Sequence, residues 1–198
     1  MNRSQKQGEF FSSIALTYSP QGSNEPLLKK DLLQHWQGKI HQHQSKLLKG
    51  QGCNDIQGSL SLFQEDPNSS NIKFNPLELT PLPINFWRAK ANNYHGPAIY
   101  LVMDKAITIG SHILLYIGET YAAEKRWKGE HDCKGYLEAY EESFKKAGLR
   151  TQLSIRFWTD VPKETKSRRK LEQQLIQSWL PPFNKETRGR WATPFTAQ

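Results

Sequence analysis

Residues 96–120 read GPAIYLVMDKAITIGSHILLYIGET. The first part alternates Ile99, Leu101 and Met103 with Tyr100 and Val102, and HILLYIG is a second apolar run. Two such runs separated by the polar, glycine-ended segment DKAITIGS predict a β-hairpin. A core strand needs neither a phenol nor a carboxylate, yet the second run ends on Tyr116, Gly118 and Glu119. These residues fit a turn with incidental polar groups or the rim of an active site.

Outward from the hairpin, Thr120 is placed to cap a short helix through Trp127. YLEAYEESFKKAG is a helix stopped by Gly148, TQLSIRFW alternates as a third strand, and KETKSRRKLEQQLIQSWL is a helix ended by Pro181-Pro182. The predicted order is β-β-α-α-β-α. Upstream, residues 26–49 space Leu28, Leu32, Trp36 and Ile40 four apart and end at Gly50, which predicts a helix with one apolar face. His41 and His43 point apart on such a helix, so they make no metal pair. Residues 50–83 are rich in Gly, Asn, Ser and Pro and predict a linker crossing the surface. The expected division is an extension over 1–95 and a compact domain over 96–198.

The 198-residue chain is 36% hydrophobic and carries a formal net charge of +8. That supplies a core and favours polyanionic partners over cationic ones. Residues 163–198 hold eight basic against three acidic side chains. No apolar run is long enough to span a bilayer or to serve as a secretory leader, which predicts a soluble cytoplasmic protein, nucleoid-associated if bacterial. Two cysteines, Cys53 and Cys133, build neither a disulfide framework nor a four-cysteine zinc site.

Four motifs in order, GPAIYLV, LLYIGET, EKRWKGEH and LEQQLIQSWLPPFN, resemble those of the GIY-YIG nuclease family over about residues 96–186. The resemblance implies an α+β fold, a small antiparallel three-stranded sheet flanked by helices. It implies divalent-metal-dependent hydrolysis of DNA phosphodiesters with Mg²⁺ or Mn²⁺. By the same resemblance Tyr100 is the first-motif tyrosine near the attacking water and Tyr116 the second-motif tyrosine. Arg126 is the phosphate-binding arginine, His131 a proton relay, Glu172 the metal ligand and Asn184 the asparagine closing the site. The 15 residues between Tyr100 and Tyr116 imply a longer hairpin loop than is usual there.

Read physically, Glu172 shares a helix face with Ile176 and Trp179, where a carboxylate loses hydration and must be neutralised, paired or bound to a cation. One glutamate can suffice for Mg²⁺, which keeps waters and takes substrate phosphate oxygens. The plainer reading is an ion pair with Arg168 or Arg169, four and three residues earlier. Arg126 suits a phosphate, because a guanidinium stays charged and binds in bidentate fashion. Tyr100 as a base needs roughly 4 kcal/mol of stabilisation of the tyrosinate. Gly118 suits a sharp turn or a close approach to DNA. Glu119 reads as a bystander in the first helical turn.

Lys125, Lys128, Lys166, Arg168, Arg169, Lys170, Lys185, Arg188 and Arg190 are the candidate phosphate contacts, which position DNA without reading its sequence. Lys29, Lys30, Lys39, Lys46 and Lys49 on the upstream helix could lie along a phosphate backbone or form a solvated face. Trp127, Trp191 and Phe195 are available for stacking, although packing roles are commoner. Ser59, Leu60, Ser61, Leu62 and Phe63 are similar to the short peptide with which bacterial repair proteins dock on the sliding clamp. The functional expectation is a DNA endonuclease in restriction or repair. The alternatives are a catalytically silent DNA-binding or clamp-interacting protein on the same fold, and a basic surface that serves RNA.

Overall fold

The computed structural model describes residues 30–49, 74–88, 94–127 and 132–193. The clamp-like peptide at 59–63, together with Lys128, His131 and Phe195, lies outside them.

The hairpin forms as β1, Ala98–Ala106, and β2, Ser111–Thr120, closed by a short 3-10 turn at Ile107–Ile109. Its extra length lies in the strands and not in the loop, which spans only residues 107–110. The register shifts between Val102 and Met103, where Leu115 is inserted as a β-bulge. β3, Leu153–Trp158, pairs antiparallel with the other side of β1, so the order is β2-β1-β3. The central strand is covered on both faces, and for that reason its sequence is almost continuously apolar.

Alternate residues of β1 serve two cores. Ala98, Tyr100, Val102 and Ala106 face α1, Lys30–Leu48, and α3, Asp132–Lys146; Ile99, Leu101 and Met103 face α4, Thr165–Trp179. The very short α2, Ala123–Arg126, joins β2 to α3. On α4 the buried stripe is Leu171, Leu175, Ile176 and Trp179, each contributing about 1.5–3 kcal/mol by burial. α3 ends where Gly148 takes φ 68°, with Leu149 N–H bonded back to Phe144 O at 2.8 Å. The α+β class and the order β-β-α-α-β-α stand as the pattern predicted.

Four expectations change. The buried stripe of α1 is Leu33, Trp36, Gln37, Ile40 and Gln44, whereas Leu32 is 50% exposed. At 100° per residue Leu32 falls outside the arc those five span. α1 is no separate extension either, because Leu33, Trp36 and Ile40 share one core with Tyr100, Val102 and Tyr140. The end of the expected linker is also part of the fold. Phe74 stacks on Trp158 at 4.6 Å, and Leu82 exchanges both backbone hydrogen bonds with Ile155 on the outer edge of β3. Buried Arg156 donates from one terminal nitrogen to the carbonyls of Pro76, Leu77 and Leu79 at 2.8–3.1 Å. Finally, Thr120 accepts from Ala122 N–H at 3.1 Å and so shapes the turn before α2 without capping it.

Asp104, fully buried on β1, accepts from the Tyr140 hydroxyl and from Gln152 N–H, each at 2.6 Å, and from the Gln37 amide at 3.3 Å. This network ties α1, α3 and the approach to β3 to the central strand, and burial raises the Asp104 carboxyl above the usual carboxylate range.

Candidate active site

The antiparallel register sets Tyr100 opposite Gly118 and Val102 opposite Tyr116, so the two tyrosines are diagonal neighbours on one face. Their rings lie 5.9 Å apart and nearly parallel, and Trp127 meets Tyr100 edge-on at 5.8 Å. Tyr100 is 1% exposed and Tyr116 is half-buried. The two phenol hydroxyls are hydrogen-bonded to one another. Gly118 sits inside β2 and not at a turn, which corrects the expected role. A Cβ there would lie 2.3 Å from the Tyr100 ring carbon Cζ and from its hydroxyl oxygen. Glycine is required because the Tyr100 ring lies across it.

Burial raises the Tyr100 phenol far above its ordinary value; Tyr116 adds to this and the Arg126 guanidinium opposes it. Burial also pushes Tyr116 up to about 12, with Cys133 and Glu172 in the same direction and the Tyr100 bond and Arg126 against. Both phenols therefore keep their protons at neutral pH. Tyr100, expected as base or water-orienting group, is enclosed, and its hydroxyl is hydrogen-bonded to Tyr116. Arg126 is exposed on α2, its guanidinium 6.0 Å from the Tyr100 ring centre.

β2 is an edge strand whose outward backbone groups are met by side chains and by a turn. Gln44 on α1 accepts from Leu114 N–H at 2.7 Å and donates to Leu114 O at 3.0 Å. Asn184, after α4, does the same for Ile117 at 2.9 and 2.8 Å. Phe183 N–H reaches Leu115 O at 3.0 Å, and Glu172 Oε1 accepts from Glu119 N–H at 2.9 Å. An open edge is thus sealed without another strand. Sequence reading missed Gln44, although an amide on the buried stripe of an apolar helix face is a signal that it binds backbone.

The ion pair of Glu172 with Arg168 or Arg169, the plainer alternative to a metal role, is not formed. Arg168 and Arg169 both reach Glu119 instead, at 2.9 and 3.2 Å. Glu119 is thereby a pinned ion-pair partner and no bystander. Arg168, fully buried, also donates to Pro162 O and Lys163 O, so it is not a DNA contact as the sequence implied. With Nε on Glu119 and Nη2 near the Thr165 hydroxyl, its donors are already engaged within the protein.

Glu172 stays half-buried, and no hydrogen-bond or ion-pair partner reaches its Oε2 among the described residues. Burial raises its carboxyl, with Glu119 and Glu186 adding to the effect and the Glu119 N–H opposing it. A dehydrated carboxylate with one open oxygen and two like charges nearby is suited to a hard divalent cation. No group of three or more His, Cys, Asp or Glu side chains gathers for a metal among the described residues, so a cation here would need water and phosphate oxygens to complete its shell.

Of the remaining cations, Lys125, Lys166, Lys170, Lys185 and Arg190 are exposed, and Arg169 is exposed while paired with Glu119. Arg188 lies over the Tyr136 ring at 5.1 Å and donates to its hydroxyl, so it is partly committed to packing. No described helix is long and apolar enough to cross a membrane. No family model, curated protein or solved structure matches this chain.

Proposed function

We propose that the chain is a divalent-metal-dependent DNA endonuclease of the GIY-YIG type. The observation that carries the reading is geometric: Tyr116 stacks beside Tyr100, the exposed Arg126 guanidinium lies 6.0 Å from the Tyr100 ring centre, and Glu172 on α4 is bonded to Glu119 N–H, three residues beyond Tyr116 on β2.

Glu172 would hold Mg²⁺ or Mn²⁺ through Oε2 while Oε1 stays anchored to Glu119 N–H. When bound, such an ion polarises a phosphoryl oxygen and acidifies a water. Arg126 binds the scissile phosphate and balances the charge that builds on it. Tyr116, fixed by the Tyr100 hydroxyl, offers its own O–H to orient the attacking water or a phosphate oxygen. Water oxygen joins phosphorus and gives up a proton to solvent, one P–O ester bond breaks, and the departing oxygen takes a proton from solvent. Asn184 and Gln44 hold the strand that carries Tyr116 and touch no substrate; they are positioning residues.

The test is cleavage of plasmid, branched and single-stranded DNA and RNA with Mg²⁺ or Mn²⁺, comparing wild type with Glu172→Gln. Glutamine still accepts from Glu119 N–H, so the fold persists while activity falls by at least about a hundredfold. Undiminished cleavage by E172Q, or no cleavage by wild type on the whole panel, overturns the proposal.

A further inference from the structure

α1 presents a second face beside its buried stripe. Lys39, Gln42, His43 and Lys46 recur at three- and four-residue steps and form one wall of a cleft of about 490 Å³. Arg190 and Trp191, from the 3-10 turn Arg188–Trp191, form the opposite wall.

Both walls are anchored. Gln44 bonds α1 to Leu114 and to Trp179 O, and the His43 ring nitrogen Nε2 lies 3.0 Å from Ser178 O. The Trp191 indole N–H donates to Leu180 O at 2.6 Å, which sets the ring, with His43 6.0 Å away centre to centre. Lys39, Lys46 and Arg190 are exposed, and none joins an ion pair among the described residues. No carboxylate among the described residues lines the cleft.

We propose that this cleft binds a single nucleic-acid strand, its phosphates on Lys39, Lys46 and Arg190 and a base against Trp191. Two lysines seven residues apart stand on the order of 10 Å apart along the helix, too far to share one phosphate but suited to successive points on a backbone. A held indole beside cations is the arrangement that receives bases without reading sequence, because every base has a stacking face. An unpaired base can offer its face to Trp191, whereas in a duplex the base faces are stacked on one another, so the arrangement favours a single strand. The inference rests on the reading that the chain acts on nucleic acid, and it adds a contact on α1, which packs against β2 and the end of α4.

The test is binding of fluorescein-labelled oligothymidylate to the full chain in EDTA, where cleavage cannot interfere. Lys39→Glu/Lys46→Glu should weaken binding at least about tenfold and reduce the salt slope by about one or more. Lys105→Glu/Lys145→Glu, the same charge change on other exposed positions, should stay within about threefold of wild type. Trp191→Leu should lose about tenfold in affinity together with base-dependent quenching of indole fluorescence. Equal losses from both lysine pairs, or duplex DNA competing as well as the single strand, would overturn the proposal. Binding that depends on the cleft in a chain that cleaves nothing removes the nuclease reading alone. Cleavage together with binding indifferent to the cleft removes this inference alone.

Discussion

Replacing Gly118 by alanine sets a methyl carbon 2.3 Å from Tyr100 Cζ and hydroxyl oxygen and 2.8 Å from Cε1. An ordinary carbon contact is about 3.5–4.0 Å, so the ring would have to withdraw by more than about 1 Å. It has nowhere to go: Tyr116 stacks on one side, Trp127 meets it edge-on, Phe157 lies 6.3 Å from it centre to centre, and Tyr100 is 1% exposed. Overpacking of this kind costs about 1–3 kcal/mol, and a stiff enclosed ring places it near the top, partly offset by about 0.5–1 kcal/mol from removing a glycine from a strand. The expected net loss is about 2 kcal/mol, or about 4–8 °C in Tm for a chain of this size. The assay is a double-mutant cycle by urea denaturation with Tyr100→Leu, which deletes the atoms in conflict. In that background Gly118→Ala should cost about zero or stabilise slightly, giving a coupling of about 2–3 kcal/mol. Additivity within about 0.5 kcal/mol would refute the claim that Gly118 exists to admit the Tyr100 ring.

Asn184→Ala strips Ile117 of a donor and an acceptor on the sealed strand edge and should cost about 2–4 kcal/mol in denaturant melts; a loss below about 0.5 kcal/mol would show that water replaces the amide. Arg126→Lys should lower metal-dependent cleavage by about a hundredfold or more while Tm stays put, because the side chain is exposed; an equal fall in Tm would make its role structural. The raised carboxyl of Asp104 means the folded chain holds that proton more tightly than the unfolded one. Its contribution to stability is therefore full below pH about 4 and is lost as pH rises through the folded value. Asp104→Asn should flatten that decline in Tm against pH, and parallel profiles for the two proteins would contradict it.

How far the sequence carried the reading depends on range. The hairpin, its neighbours and the helix ends were legible because alternation, Gly148 and Pro181-Pro182 act on adjacent residues. The stripe of α1 was misplaced by one position because a four-residue step drifts by 40° each time, and amides at 37 and 44 do not register as core. The pairing of Arg168 with Glu119 was missed because helix spacing offers Glu172 first; the winner lies across space, on β2.

The same boundary runs through the candidate site. Tyr100, Tyr116, Arg126, Glu172 and Asn184 were singled out because the ordered motifs that hold them resemble those of a known family. What each does was decided by packing. Tyr100 is enclosed and keeps its proton, Gly118 makes room for it, Asn184 is spent on Ile117, and Glu172 retains one open oxygen because Glu119 takes both arginines. Burial and distance set protonation and partners, and neither quantity is local in the chain.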